Sequence, residues 1–61
     1  MNINTADESA LDALPGIGPS TARAIVAYRD EHGPFATVES LDQVPGIGPS
    51  KVANLDGLVT T

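Results

Sequence analysis

The sequence contains no cysteine and no tryptophan, and Tyr28 and Phe35 are its only aromatic residues. Without cysteine, neither a disulfide framework nor a thiolate metal site can stabilise the chain. The core must therefore form by packing of aliphatic side chains, for which a hydrophobic content of 41% is sufficient. A domain of 61 residues buries only about 60% of the surface of its unfolded chain, so we expect modest stability.

Positive charge is also scarce, because three basic residues stand against eight acidic ones and the net charge is −5. The basic residues are Arg23, Arg29 and Lys51. A protein that binds a polyanion tightly normally has a basic patch and a high pI, so this balance argues against tight binding of nucleic acid. The N-terminal residues include neither a basic stretch nor a long apolar run, so we expect no signal peptide, no transmembrane segment and no membrane contact in this segment.

One segment of the chain occurs twice. Residues 14–20 read Leu-Pro-Gly-Ile-Gly-Pro-Ser, and residues 44–50, 30 positions later, read Val-Pro-Gly-Ile-Gly-Pro-Ser. A repeat at a fixed offset indicates a duplicated supersecondary unit. In each copy a proline follows the second glycine, and proline is favoured as the first residue of a helix. We therefore predict two glycine turns, each of which opens directly into a helix.

Capping signals and helical spacing predict two helices in the first half of the chain. Thr5 and Glu8 have the form of a capping box, which predicts a first helix over about residues 6–13. The second and longest helix is expected to begin at Pro19 and to end at residue 31 or 32, because Gly33 offers a left-handed residue and a proline follows it.

The second half of the chain predicts the same arrangement. Thr37 is expected to cap a third, short helix. A fourth helix should begin at Pro49 and end near Gly57, after which residues 58 and 59 dock as an apolar tail and residues 60 and 61 fray. No stretch alternates apolar and polar residues as a half-buried strand does. The predicted fold is all-α: a single compact domain over residues 1–61, with four helices in two helix–hairpin–helix units, about 5–32 and 36–59, related by pseudo-two-fold symmetry.

Each glycine turn offers main-chain N–H groups rather than catalytic side chains. We expect Ile17 and Ile47 to point inward and hold the turns against the core. The first amides of a helix lack helical acceptors, and here they form a concavity suited to a phosphate oxygen. Two such sites would contact two phosphates across a groove and would read backbone shape rather than base identity. We predict no catalytic residue and no cofactor.

The two turns, together with Ile3-Asn4-Thr5-Ala6 near the start and Gly33-Pro34-Phe35 between the units, resemble the C-terminal domain of the bacterial ComEA competence proteins. The resemblance covers nearly all of residues 2–59. It implies a SAM-like tandem helix-hairpin-helix domain that binds double-stranded DNA without sequence preference during DNA uptake. It also implies an extracytoplasmic, membrane-anchored setting if the chain is part of such a protein, and a cytoplasmic one otherwise.

The resemblance also implies which residues form the site. The DNA-binding residues are expected to be Gly16, Ile17, Gly18, Ser20 and Thr21 in the first copy and Gly46, Ile47, Gly48, Ser50 and Lys51 in the second. Some helix-hairpin-helix turns hold a monovalent cation with main-chain carbonyls, which here would belong to Asp12, Leu14 and Ile17 and to Asp42, Val44 and Ile47. No metal ligand is expected among the side chains.

The chain departs from the resemblance where basic residues are usual, since Thr21, Ala53, Asn54 and Asp56 occupy such positions. With two or three cations available, the salt slope would not exceed about −2 to −3, and the dissociation constant would be about 10⁻⁴ M or weaker. Two hypotheses follow. The chain is a monomer that binds double-stranded DNA weakly and in a salt-sensitive way, which the intact turns favour. Alternatively it is a protein–protein interaction or structural module, which the acidic surface favours.

Overall fold

Three α-helices and one 3₁₀ helix make up the fold in the computed structural model, which describes residues 1–61. The α-helices are α1 (Glu8–Asp12), α2 (Pro19–His32) and α3 (Pro49–Leu55), and the 3₁₀ helix, η1, spans Val38–Gln43. Strand-like pairing is limited to isolated bridges. The predicted all-α class with four helices is confirmed. None of the helices has the length and apolar content needed to span a bilayer.

The first helix is capped by a different residue from the one predicted. The carboxylate of Asp7 accepts a 2.8 Å hydrogen bond from the N–H of Ala10, which makes Asp7 the N-cap of α1. The N–H and hydroxyl groups of Thr5 instead donate to the carbonyl of Asn2, at 3.3 and 3.4 Å. The capping-box prediction is therefore wrong, because a turn that starts at Asn2 uses Thr5 and delays the helix.

The longest helix, α2, has the predicted limits. Pro19 is its first residue, and Gly33 ends it with a φ of +87°, while the N–H of Gly33 donates to the carbonyl of Arg29 at 2.9 Å. Near its C-terminal end, Arg29 Nη1 donates to the carbonyl of Ile3 at 2.8 Å. This contact ties the helix to the N-terminal segment.

The second unit repeats the first with a 3₁₀ helix in place of α1 and with a second helix of seven residues instead of 14. Where an α-helix was expected after Thr37, η1 forms, because the Thr37 hydroxyl contacts Ser40 Oγ at 3.1 Å and leaves the main-chain amides without a side-chain cap. Short i to i+3 bonds such as Ser40 N–H to the Thr37 carbonyl then satisfy these amides. Helix α3 ends at Leu55, before the predicted Gly57, because Asp56 has an extended ψ of 131°.

One core of twelve buried apolar residues holds the two units together. Both units contribute the same four positions, offset by 30 residues. These pairs are Leu11 and Leu41, Leu14 and Val44, Ile17 and Ile47, and Ile25 and Leu55. No polar or charged residue is buried. The inward orientation predicted for Ile17 and Ile47 is confirmed, since each is only 5% exposed.

The two ends of the chain pair with each other rather than fraying. The N–H of Ile3 donates to the carbonyl of Thr60 at 2.9 Å, and the N–H of Thr60 donates to the carbonyl of Met1 at 2.6 Å. Val59 is buried, as expected for the apolar tail, but Leu58 is 49% exposed. The prediction for residues 58, 60 and 61 is wrong because the turn at Gly57 directs only Val59 inward and aligns the last residues with the first.

Candidate functional site

The two glycine turns adopt the same backbone conformation. The first glycine of each turn has a positive φ, +77° at Gly16 and +92° at Gly46. The second is extended, with φ of −99° at Gly18 and −104° at Gly48, and serves as the N-cap of the helix that follows. Only the first glycine of each turn is thus required by its φ. A Cβ built on Gly18 or Gly48 would meet no atom within 4 Å, so packing within the chain does not require glycine there either.

The turns leave a set of main-chain amides without an intramolecular acceptor. In the first copy these are the N–H groups of Gly16, Gly18, Ser20 and Thr21, and Ala22 is the first residue of α2 whose amide is bonded, to the carbonyl of Gly18 at 2.9 Å. Neither glycine cap supplies a side-chain acceptor. These groups are the orphan donors expected at a helix start whose cap residue has no side chain.

The second copy has one free amide fewer. The N–H groups of Gly46, Gly48 and Ser50 have no intramolecular acceptor, but that of Lys51 donates to the carbonyl of Gly48 at 3.1 Å. In the first copy only the amide of Ala22 donates to the carbonyl of Gly18, so the amide of Thr21, which corresponds to that of Lys51, is free. The two copies are therefore similar but not equivalent donors.

The structure brings residues of the two copies together. A Cβ on Gly46 would lie 3.6 Å from Thr21 Oγ1, so the start of α2 lies beside the second turn. Ser20 and Ser50 are exposed, and Ile17 and Ile47, which were also predicted as site residues, point into the core. The two isoleucines therefore hold the turns in place, with their side chains unavailable to a ligand.

Few basic groups lie near the turns. Lys51 Nζ donates to the carbonyl of Gly46 at 3.2 Å, which folds this side chain back over its own turn. Arg23 Nε lies 3.6 Å from Glu8 Oε1 in an exposed ion pair. Residues 14–21 and 44–51 include no acidic side chain. Carboxylates lie beside the turns nevertheless, because Glu8 and Asp12 share a groove with Pro19, and three acidic residues share one with Pro49.

The carbonyl groups predicted to hold a monovalent cation keep free lone pairs. Those of Asp12, Ile17, Asp42 and Ile47 accept no intramolecular hydrogen bond. The carbonyls of Leu14 and Val44 each accept one, from the N–H groups of the isoleucines at 3.1 and 3.0 Å. Because a carbonyl oxygen has two lone pairs, all six can still serve as ligands. A monovalent-cation site at these six carbonyls stays a prediction, and no group of three or more His, Cys, Asp or Glu side chains could hold a metal ion.

A known protein family covers nearly the whole chain. The model of the helix-hairpin-helix motif matches residues 1–60. The chain belongs to this family. It is 54% identical over 39 residues to ComE operon protein 1 of Bacillus subtilis, a match that covers 64% of the chain and 19% of that protein. The resemblance inferred from the two turns is thereby confirmed.

This helix-hairpin-helix domain is also similar to proteins of other kinds. It is 51% identical over 39 residues to endonuclease/exonuclease/phosphatase family domain-containing protein 1 of Mus musculus, where the match covers 64% of the chain and 7% of that protein. It is 51% identical over 40 residues to an uncharacterized protein of Haemophilus influenzae, 36% of which is covered. The chain spans about a fifth of the length of the Bacillus protein and less than a tenth of the mouse protein.

Two features of the site escaped the sequence prediction. The first is the hydrogen bond of the Lys51 amide, which depends on the bonding pattern of a single helical turn. The two copies differ there only by lysine in place of threonine, and that difference does not reveal the pattern. The contact of Thr21 with the second turn depends on how the units pack. The repeat itself was the available signal, because duplicated units around one core place their turns at related positions.

Proposed function

We propose that this helix-hairpin-helix domain binds double-stranded DNA without sequence preference, by donating main-chain hydrogen bonds from its two turns to phosphate oxygens. The observation that supports this most strongly is the set of free amides at the two turns, four in the first copy and three in the second. Such contacts position a protein on the DNA backbone and read no bases. The domain is then a binding module rather than an enzyme.

The glycine caps explain why the amides are available. A helix N-cap is usually Ser, Thr, Asp or Asn, whose side-chain oxygen accepts from the first amides. Gly18 and Gly48 have the extended backbone of an N-cap but no such oxygen. At α2, 14 residues long, the helix dipole adds partial positive charge at the same place. An external phosphate oxygen can therefore occupy the position that a cap side chain would otherwise fill.

The charge distribution limits the affinity. Only Lys51 and Arg23 lie close to the turns, and Arg23 is shared with Glu8. With so few cations we expect a salt slope of about −2 to −3 and a dissociation constant of about 10⁻⁴ M or weaker at physiological salt. Because the chain resembles the ComEA competence proteins, we propose DNA uptake as the setting in which it acts.

The proposal is tested by giving each helix N-cap a side chain that can accept hydrogen bonds from the free amides. In the double variant Gly18→Asn, Gly48→Asn, each asparagine side chain can accept from the free amides without changing the net charge. The extended φ at both positions and the open space around them allow a side chain. We expect the free energy of unfolding to stay the same or to rise by a few tenths of a kcal/mol. We expect the affinity for a 16-base-pair duplex, measured by fluorescence anisotropy at low salt, to fall at least tenfold.

The matched control is the double variant Ser20→Ala, Ser50→Ala, which removes two exposed hydroxyls and keeps the main-chain amides. It should bind the duplex within about twofold of the unmodified domain. Unchanged binding by the asparagine variant would reject amide recognition, and absence of binding by the unmodified domain at millimolar concentration would reject DNA binding itself.

A further inference from the structure

A groove of about 270 Å³ lies between η1 and α3 in the second unit. Its apolar lining comes from Val38, Pro49, Val52 and Ala53. Three carboxylates, those of Glu39, Asp42 and Asp56, also line it. Val52 packs only partly against the core, so the groove exposes apolar surface between acidic side chains.

The first unit has a counterpart of this groove with a different lining. Glu8, Ser9, Asp12 and Pro19 line it, and the proline ring is its only apolar side chain. At the 30-residue offset, Val38 replaces Glu8 and Ala53 replaces Arg23. In the first unit those two positions form the ion pair of 3.6 Å that connects α1 to α2. The second unit has lost both members of the pair and has apolar carbon in their place.

The acidic residues are redistributed at the same time. Glu39 stands where the first unit has Ser9, and Asp56 stands where it has Val26, while Asp42 and Asp12 correspond. The second groove thus has three carboxylates where the first has two, and it lacks a counterpart of Arg23, which pairs with Glu8 of the first groove. No basic side chain of the chain is paired with any of its three acids. The groove therefore combines exposed apolar surface with three carboxylates that no basic side chain neutralises.

We propose that this groove, lined by residues 38, 39, 42, 49, 52, 53 and 56, docks a segment of a partner protein in which arginine or lysine alternates with aliphatic residues. The long apolar stem of such a side chain covers Val38 and Val52 while its charged head remains at the rim. A guanidinium there can form charge-assisted hydrogen bonds with a carboxylate. Opposite charge also steers the partner to this face.

A second copy of this chain does not meet these requirements. Each copy has a net charge of −5 and only three basic side chains, one of which, Arg29, is bonded to the carbonyl of Ile3, so two copies repel each other. Nucleic acid is excluded as well, since three carboxylates repel phosphate. Charge complementarity therefore selects a basic protein segment, and this docking does not depend on whether the glycine turns bind DNA.

The test uses the ¹⁵N-labelled domain and the synthetic peptide acetyl-Leu-Arg-Ala-Leu-Arg-amide, without DNA. We expect saturable amide shift changes in residues 38–42 and 52–56, and none in residues 8–12 and 19–23, which form the equivalent groove. A peptide with citrulline in place of arginine has the same shape without the charge, and we expect it to bind at least fivefold more weakly.

Two variants of the domain complete the experiment. Ala53→Arg places in the second groove the side chain that the first unit has, and we expect it to weaken binding of the arginine peptide at least fivefold. The double variant Glu39→Gln, Asp56→Asn should do the same by removing charge, with Asp30→Asn and Glu31→Gln on α2 as the charge-matched control. Equal shift changes in both grooves, equal binding of the citrulline peptide, or full affinity of Ala53→Arg would each overturn the proposal.

Discussion

Asn4 and Phe35 exchange two hydrogen bonds across 31 positions of sequence. The N–H of Phe35 donates to Asn4 Oδ1 at 2.7 Å, and Asn4 Nδ2 donates to the carbonyl of Phe35 at 3.0 Å. The ring of Phe35 is buried and stacks on Tyr28, with centroids 5.4 Å apart. One asparagine side chain thus fixes the linker between the two units to the N-terminal segment.

Replacing this asparagine should destabilise the fold. Asn4→Ala leaves both main-chain groups of Phe35 without a partner in a part-buried position, so we expect a loss of about 2 kcal/mol in the free energy of unfolding. Urea unfolding followed by circular dichroism measures it. Asn54→Ala, on the exposed side of α3, is the control and should change stability by less than about 0.5 kcal/mol. Equal effects of the two changes would show that the exchange with Phe35 contributes nothing.

The corrected N-cap gives a second prediction. Asp7→Ala removes the acceptor for the N–H of Ala10 and should cost about 1 kcal/mol. Thr5→Ala removes only an exposed hydroxyl that donates at 3.4 Å and should cost much less. Thermal unfolding of the two variants ranks them, and a larger loss for Thr5→Ala would favour the capping box instead.

The backbone conformation of the turns predicts which glycines are needed for stability. Gly16→Ala and Gly46→Ala force a side chain into positive φ and should each cost about 1–2 kcal/mol. Gly18→Ala and Gly48→Ala have extended backbone and open space, so their free energies of unfolding should stay within about 0.5 kcal/mol of the original. Urea titration separates the two pairs. Similar losses at all four positions would mean that the second glycines have a structural role not evident from their surroundings.

Lys51 should contribute to DNA affinity through its position rather than through net charge. We expect Lys51→Gln to weaken duplex binding severalfold and to reduce the salt slope by about 1. Thr61→Glu changes the net charge by the same amount but lies far from the turns. The paired chain ends contact α2 at Arg29, which is about 15 Å along the helix from Pro19. Anisotropy titrations at several salt concentrations compare the variants. Equal losses of duplex affinity would mean that net charge alone, and not the position of Lys51, determines binding.

The main-chain carbonyls of the turns predict an effect of potassium on stability. Two half-filled sites would contribute about 0.8 kcal/mol, which for a domain of this size raises Tm by about 3–6 °C. The comparison is between KCl and tetramethylammonium chloride at the same ionic strength, because the larger cation does not fit between carbonyl groups. The same Tm in both salts would argue against a cation at Asp12, Leu14 and Ile17 and at their counterparts.

Much of this fold follows from local signals in the sequence. Pro19 and Gly33 mark the ends of α2, and the 30-residue repeat pairs the core positions of the two units. These features depend on backbone preferences of single residues or on helical spacing, which a sequence displays directly. The amides of the two turns were predicted in the same way, from glycine followed by proline.

The features that could not be predicted depend on contacts between distant segments. Asp7 rather than Thr5 caps α1 because a turn at Asn2 competes for Thr5. The exchange between Asn4 and Phe35, and the proximity of Thr21 to Gly46, arise only when the units pack. Such pairs have no fixed spacing, so a single sequence contains no periodic signal for them.

The paired chain ends have a mechanical consequence. The N-terminal and C-terminal segments are parallel where Asn2 pairs with Thr60. Tension applied between the first and last residues therefore pulls these two segments past each other along their length. The bonds that join residues 3 and 60, 60 and 1, and the Asn2 side chain to the carbonyl of residue 61 then bear the load together. While they hold, the force passes directly from one end to the other, and the two glycine turns carry none of it.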